Sequence, residues 1–249
     1  MEIKYITPEI TPDTLYYYAY TNASDIEGEI KAIALDFHGL GSCGMKKNAS
    51  DFDLDMAKHG ILVVYPYYGP WSWMNSGAVK FVDKVVEVVC EKYNLDLGKI
   101  RLLSTGGSMG GHSALIYTMY ANRTPDACIT NCPVCDFKYH SSEREDLPRT
   151  IYLAFSNEGM DLETAIELHS AYHLASKMPN IPYVVLHGTC DDAVNKGIHS
   201  DRFVARMREF GKDVEYIEVE GMGHCWLEPF PEVKRKFYDQ FIRLALATK

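Results

Sequence analysis

A serine set between glycines is the most distinctive chemical motif in the chain. The motif GGSMG places Ser108 between Gly106 and Gly110, where a predicted strand (99–105) passes into a predicted helix (109–120). Such a sharp strand–turn–helix junction holds a serine strained and exposed, which is the setting of a nucleophile. Glycine is expected on either side because a side chain there would press on neighbouring backbone. The alternative is a turn that only lets the helix pack closely, but the flanking strand and helix favour the nucleophile.

A serine hydroxyl needs a general base that an acid orients. Nine histidines compete for this role. His224, in GMGHCW, follows a predicted strand (214–219) and lies late in the chain in a loop with glycines. His38 and His187 end strands instead, and His112 falls in the helix after the serine. Only His224 lies late in the chain, in a loop after a strand, and next to glycines. It is therefore the predicted base.

The acid is expected between the serine and the histidine, after another strand end. The segment HGTCDDAV follows an apolar run (181–186) and offers Asp191 and Asp192. A solvated acidic turn is the alternative, since aspartate favours turns. Asp136, after the preceding strand, is a further rival because a carboxylate there can also reach the histidine. We favour Asp191.

A tetrahedral intermediate also needs two backbone N–H groups aimed at its oxyanion. One is expected from Met109, directly after the serine. The other is expected from HGLGSCG, which follows the predicted strand 30–37. Leu40 is the first choice for this oxyanion hole, and Gly41 is the next.

The elements that position these residues alternate along the chain. Near-continuous apolar runs predict strands of a parallel sheet buried on both faces, and helical spacing predicts helices between them. The predicted strands are 30–37, 61–67, 99–105, 127–130, 181–187 and 214–219, with 3–6 and 15–20 as an antiparallel edge. The predicted helices are 50–59, 79–93, 109–120, 200–210 and 233–246. This alternation predicts an α/β fold with a mostly parallel open sheet of about eight strands and helices on both faces.

One stretch, about 131–179, breaks this alternation. It carries helix-like pieces, including a run over 162–178, and no clear strand. A long excursion inside a compact domain is usually a lid or a small insertion. The chain is therefore expected to be one domain over 1–249 with a lid-like insertion.

Aromatic residues follow the strand 61–67 in the segment YYGPWSWMN. Open α/β sheets bind ligands at the carboxyl ends of their strands. Trp71, Trp73 and Met74 are therefore candidates for an apolar wall of the substrate pocket, which the insertion would roof. Packing of these side chains onto the core is an equally good interpretation. An aromatic-lined pocket would favour an uncharged ester.

Composition excludes several classes of protein. The 249 residues carry a net charge of −9, which argues against a nucleic-acid partner. No apolar run approaches the ~18 residues of a membrane span, and the N-terminus lacks a signal-peptide pattern. The seven cysteines do not form a dense disulfide scaffold, so a cytoplasmic protein is expected. Cys132 and Cys135 have a CxxC spacing without a second ligand pair, so we expect free thiols and no metal or organic cofactor.

These motifs together resemble the α/β-hydrolase fold, and within it single-domain relatives of the prolyl oligopeptidase and dienelactone hydrolase group. The resemblance covers residues 30–245 and rests on HGLG at 38–41, LDLGKIRLLSTGGSMGG at 95–111, HGTCDDAV at 187–194 and GMGH at 221–224. It implies the triad Ser108, Asp191 and His224, the three residues chosen above. The chain departs from the family in having Asn195 where proline is common. The elbow serine differs from the cysteine of dienelactone hydrolases, and 249 residues leave no room for the propeller of large oligopeptidases.

The sequence therefore predicts a serine hydrolase that cleaves a carboxylic ester of a small soluble substrate through an acyl-enzyme. One alternative is an amide hydrolase of the prolyl oligopeptidase type, because an acyl-enzyme forms from either bond. The other is a non-catalytic binding module that reuses the fold. The sequence predicts no particular oligomeric state.

Overall fold

The computed structural model describes residues 9–42 and 44–248. Within them one sheet has the strand order β1-β3-β2-β4-β5-β6-β7. The strands are β1 (Ala19–Thr21), β2 (Ala32–Phe37), β3 (Ile61–Pro66), β4 (Arg101–Gly107), β5 (Ala127–Asn131), β6 (Tyr183–Gly188) and β7 (Val214–Val219). β1 runs antiparallel to β3, and all other neighbouring strands are parallel.

The predicted sheet is confirmed, with seven strands found in the described residues where about eight were expected. All six predicted parallel strands are present. The predicted edge over 15–20 is a 3₁₀ turn (Leu15–Tyr17) followed by β1. The other predicted edge segment, 3–6, lies outside the described residues.

Helices cover both faces of the sheet. They are α1 (Asp51–Lys58), α2 (Ser76–Tyr93), α3 (Met109–Tyr120), α4 (Phe137–His140), α5 (Leu147–Phe155), α6 (Leu162–Leu168), α7 (Ala171–Leu174), α8 (Arg202–Glu209) and α9 (Pro231–Ala245). α1 and α9 pack on one face, and α2, α3 and α8 pack on the other. None of the helices in the described part of the chain is both long and apolar enough to cross a membrane.

The insertion consists of four short helices, α4 to α7. The helix predicted over 162–178 is broken into α6 and α7 at Ser170. The Phe137 amide donates a hydrogen bond to Ser170 Oγ at 3.0 Å, and the Tyr172 amide donates to the Cys135 carbonyl at 2.9 Å. These contacts with the segment after β5 redirect the chain, which helical periodicity alone does not encode.

Candidate active site

Ser108 lies at the junction of β4 and α3, with φ 58° and ψ −125°. This is a strained conformation for a residue with a side chain, as expected of a nucleophile elbow. The Ser108 amide donates to the Asn131 carbonyl at the end of β5, 3.0 Å away. The turn is tight: a Cβ on Gly110 would lie 2.0 Å from the Phe37 carbonyl oxygen, and one on Gly106 would lie 2.5 Å from the Gly110 carbonyl carbon. Both glycines therefore have the steric role expected of them.

The loops after β6 and β7 bring Asp191 to His224. His224 Nδ1 lies 2.8 Å from Asp191 Oδ2, and the carboxylate is fully buried. Asp191 Oδ1 accepts the amides of Ala193 and Val194, each at 2.9 Å, which closes the turn. Burial alone would raise the pKa of Asp191, but hydrogen bonds from His187 and His224 hold it well below its usual range. Asp191 is therefore an ionised acceptor for the His224 ring.

His224 is placed to hold a proton. Burial alone would lower its pKa, but hydrogen bonds to Asp191 and Cys132 raise it to about 9. Ser108 and His224 line the same cavity, although no hydrogen bond joins their side chains in the described structure. The Cys225 thiol lies 3.9 Å from His224 Nε2 instead. Catalytic hydrogen bonds are often long before substrate binds, so the missing bond does not exclude a catalytic pair of Ser108 and His224.

The rivals of Asp191 lie elsewhere. The Asp192 side chain is exposed to solvent. Asp136 caps α4 by accepting the Tyr139 amide at 3.0 Å, and it pairs with Arg202 at 3.2 Å. The structure thus brings Asp191, and neither rival, against His224.

The two predicted oxyanion donors lie beside Ser108. Leu40 lines the same cavity as the serine. The Gly41 amide is already engaged, donating to the Pro70 carbonyl at 3.0 Å, which leaves Leu40 as the better candidate of that loop. Met109 is the first residue of α3, and an amide at this position has no partner within its own helix.

The cavity at Ser108 has a volume of about 710 Å³. Its lining residues are Gly39, Leu40, Gly41, Trp71, Gly107, Ser108, Arg144, Asp146, Arg149, Thr150, His224 and Cys225. Arg144, Asp146, Arg149 and Thr150 come from the insertion, which therefore borders the site. The wall is more polar than an aromatic pocket for an uncharged ester.

The predicted pocket wall is only partly correct. Trp71 lines the cavity, but Trp73 and Met74 are completely buried in the core. Trp73 Nε1 donates to Thr150 Oγ1 at 3.0 Å. Both residues have positive φ, 47° and 51°, and this turn directs their side chains inward. Their assignment to the pocket was wrong.

His187 is a site residue that sequence reasoning missed. Its ring is completely buried, and Nε2 lies 3.1 Å from Asp191 Oδ2 and 3.1 Å from the Val194 carbonyl. Nδ1 lies 2.6 Å from Ser200 Oγ. Because Nε2 faces two acceptors, it carries the proton and donates to them, and Nδ1 accepts from the hydroxyl. The position of His187 four residues before Asp191 was the available signal.

The structure also gathers residues that could bind a metal. Cys132, at the end of β5, lies with Cys225 and His224, and their donor atoms are within 4.8 Å of one another. Cys132 also lies with His187 and Asp191 in a second group, and a third group, His140, Glu143 and His199, lies under the insertion. The CxxC spacing alone did not indicate any of the three.

Comparison with known proteins identifies relatives. The model of the prolyl oligopeptidase family matches residues 74–245. No curated protein sequence matches the chain.

Solved structures share the fold at low sequence identity. The acylaminoacyl peptidase of Pyrococcus horikoshii is 14% identical with a TM-score of 0.70, covering 87% of this chain and 37% of that one. A puromycin-hydrolyzing peptidase of Mycobacterium tuberculosis is 20% identical with a TM-score of 0.69, covering 90% and 35%. The S-formylglutathione hydrolase of Agrobacterium tumefaciens is 15% identical with a TM-score of 0.66, covering 89% and 86%. The chain thus spans little more than a third of the length of the two peptidases.

These similarities and the sheet order establish the α/β-hydrolase fold that the sequence predicted. The family match spans most of the chain and includes the positions of Ser108, Asp191 and His224. The chain therefore belongs to the prolyl oligopeptidase family of serine hydrolases.

Proposed function

We propose that this protein is a serine carboxylesterase that cleaves esters of small soluble substrates through an acyl-enzyme. The observation that carries the proposal is the placement of Ser108 and His224 on one cavity, with His224 hydrogen-bonded to the buried carboxylate of Asp191. The six described cysteines are free thiols, as is usual in a reducing compartment. We therefore also propose that the protein works in the cytoplasm.

In the proposed mechanism, Ser108 Oγ attacks the acyl carbon while His224 Nε2 takes the serine proton. Asp191 keeps the Nδ1 proton in place and stabilises the imidazolium. The amides of Leu40 and Met109 donate to the oxyanion. Collapse of the intermediate breaks the bond to the alcohol, which leaves with the proton from Nε2. Water then attacks the acyl-enzyme with His224 as base, and the acid is released.

One of the similar structures and the size of the cavity support an ester over a peptide. The fold similarity includes the S-formylglutathione hydrolase, whose name denotes cleavage of a thioester, as well as the two peptidases. The cavity of about 710 Å³ falls within the ~300–1,000 Å³ range of small-molecule sites. Amide cleavage remains the second candidate, because the family match and these two similar structures favour it.

The test is hydrolysis of p-nitrophenyl esters from acetate to decanoate, with a feruloyl ester and a peptide–coumarin amide alongside. We expect ester turnover that falls by several orders of magnitude in Ser108→Ala, since the nucleophile is lost. The variant should unfold at the same urea concentration as the parent. The optimum acyl length would measure the space beside Trp71.

Each contrary outcome identifies one alternative. Amide turnover comparable to ester turnover would favour the peptidase. Ester hydrolysis unchanged in Ser108→Ala would rule out the proposed nucleophile. A folded protein that a fluorophosphonate probe does not label would favour the binding module.

A further inference from the structure

Two thiols flank the imidazole nitrogen that the proposed mechanism uses. The Sγ atoms of Cys132 and Cys225 and the His224 ring nitrogen lie within 4.8 Å of one another. Cys225 Sγ is 3.9 Å from His224 Nε2, and the Cys225 amide donates to Cys132 Sγ at 3.4 Å. Cys132 and Cys225 have positive φ, 47° and 55°. Such strain clusters at functional sites, and here it occurs at both thiols of the group.

From this arrangement we infer that the site binds one Zn²⁺ through Cys132 Sγ, Cys225 Sγ and His224 Nε2, and that the bound ion inhibits the enzyme. Thiolate and imidazole are the ligands that zinc prefers. Zinc–ligand bonds of ~2.0–2.3 Å require donor atoms roughly 3.5–3.8 Å apart in a tetrahedral site. The present separations, at most 4.8 Å, therefore need to contract by no more than about 1.3 Å. Any thiol still protonated, and His224 Nε2 where the ring is charged, would release its proton to solvent on binding.

The contacts of His224 with residues outside the proposed zinc site already suit a metal-binding histidine. Such histidines usually donate their other ring N–H to a carboxylate, which fixes the tautomer and orients the ring. His224 Nδ1 makes this contact with Asp191 at 2.8 Å, so Nε2 is the nitrogen that can bind a metal once it has lost its own proton. Asp191 is in turn held by His187 at 3.1 Å. A catalytic Ser–His–Asp arrangement and a zinc-binding histidine both need the tautomer of His224 that has its proton on Nδ1.

The group under the insertion lacks this property. His199 Nδ1 accepts the amides of Cys135 and Asp136, at 3.2 and 3.1 Å. The proton of the neutral ring is therefore on Nε2, which donates to Glu143 at 3.0 Å. A metal there would have to displace that proton from a ring whose other nitrogen is already an acceptor. Of these two groups, His224 can bind a metal as a neutral ring that keeps its Nδ1 proton, whereas His199 would have to lose the proton of a neutral ring.

Inhibition follows from the atom that zinc would occupy. In the proposed mechanism His224 Nε2 takes the proton of Ser108, and a metal bound to that nitrogen prevents the transfer. His224 and Cys225 line the cavity, so the ion can enter from the substrate side and a chelator can remove it. Binding itself is independent of the proposed function, and only the inhibition depends on it.

The test begins with metal-free protein under a phosphine reductant. Competition of Zn²⁺ against a chromophoric chelator should give one tight site per chain. Co²⁺ should give the near-ultraviolet charge-transfer band of bound thiolate together with the visible bands of tetrahedral cobalt. Substoichiometric binding, or cobalt bound without the thiolate band, would overturn the inference even in a protein with no esterase activity.

Variants locate the site. Cys132→Ser and Cys225→Ser should each weaken zinc binding by at least the ~10–100-fold that loss of an outer-layer partner costs. Cys190→Ser is the matched control, because Cys190 is an exposed thiol next to Asp191 that is outside the group, and it should bind zinc like the parent. Binding unaffected by both substitutions in the group, or abolished by Glu143→Gln, would overturn the site. Ester hydrolysis by the parent should fall as zinc fills the site and return with chelator; full activity at saturation would overturn the inhibition.

Discussion

Asp191 carries a buried negative charge that several hydrogen-bond donors share. Two donors are the ring nitrogens of His224 and His187, and two are the backbone amides of Ala193 and Val194. A buried charge that loses a partner is costly because water cannot replace the lost hydrogen bond. These donors therefore stabilise the loop that carries Asp191. They also fix the orientation of the carboxylate, which in turn orients the His224 ring.

His187 should act as a positioning residue. We expect His187→Ala to lower kcat by about 10- to 100-fold, because a small misplacement of His224 has effects of that size. KM should change little, since His187 is outside the cavity lining. Stability should fall by roughly 1–3 kcal/mol, the cost of a lost partner. Steady-state kinetics and urea unfolding measure the two effects.

The conservative variant separates positioning from general damage. His187→Gln keeps an amide donor near Asp191 and should recover part of kcat. Loss of stability with unchanged kcat in His187→Ala would contradict the positioning role.

The pH dependence of ester hydrolysis should reflect His224. The neutral imidazole accepts the serine proton, and its contacts raise the pKa of the ring to about 9. The value of kcat/KM should therefore fall as the pH drops through this pKa, by up to tenfold per unit. A pH–rate profile with chelator present measures this, and a limb at or below the ordinary value of 6.5 would contradict it.

The positions of Ser108, Asp191 and His224 could be located from the sequence because each lies in a short motif at a strand end. The role of His187 could not, because it depends on which acceptors surround a buried ring. Trp73 and Met74 were misplaced for a related reason. Nothing in an aromatic loop sequence specifies the positive φ that turns those side chains into the core.

At the scale of elements, one partly buried carboxylate, Glu143, connects the insertion to the loop after Asp191. Glu143 accepts hydrogen bonds from His140 Nδ1 at 2.7 Å, from His199 Nε2 at 3.0 Å and from the Asn195 amide at 3.1 Å. Burial alone would raise the pKa of Glu143, but the bonds to His140 and His199 hold it well below its usual range. The segment between α4 and α5 is thereby fixed beside the site.

Glu143→Gln should loosen this connection. We expect a loss of about 1–3 kcal/mol in the free energy of unfolding and faster proteolysis within the insertion. The difference should be full above the ordinary glutamate pKa of 4.5 and shrink as the pH falls below it, because the unfolded parent then binds a proton at Glu143 that the folded parent does not. Urea unfolding and limited proteolysis at pH 7 and pH 4 measure this.

A matched control lies in the same insertion. Glu163 pairs with Lys138 at 2.9 Å, but its side chain is 74% exposed. Exposed pairs contribute ~0–1 kcal/mol, so Glu163→Gln should resemble the parent. Equal effects of the two substitutions would contradict an anchoring role for Glu143.

Most elements could be predicted because their signals are local. Near-continuous apolar runs marked three of the six parallel strands, and shorter apolar segments marked the other three. The helix predicted from Ser50 begins there, with Ser50 as the N-cap of α1, whereas α2 begins at Ser76, ahead of the predicted 79, because Asn75 caps it. The insertion was the exception. Its helices are short, and the break between α6 and α7 depends on contacts with Phe137 and Cys135 that are distant in sequence.

At the scale of the whole molecule, the insertion and the sheet share a core that contains neutral histidines. His112, completely buried in α3, packs against Trp73 and Phe137. Burial lowers the pKa values of His112, His140 and His169, and that of His112 falls from 6.5 to about 3. In mild acid these histidines therefore bind protons in the unfolded chain but stay neutral in the folded protein.

Because His112 stays neutral in the folded protein, we predict that the free energy of unfolding falls in acid and that part of this fall is due to His112. Between pH 6.5 and about 3 the unfolded chain binds a proton at His112 and the folded chain does not, so its contribution to stability falls as the pH falls. The slope approaches ~1.4 kcal/mol per pH unit for one such group. Other groups titrate in the same range, but they are common to parent and variant. The stability of His112→Asn relative to the parent should therefore improve steadily as the pH drops from 6.5 to 4.5, whatever its value at pH 7. Urea unfolding of both proteins over this range measures the change, and a constant difference would mean that His112 titrates alike in the folded and unfolded chains.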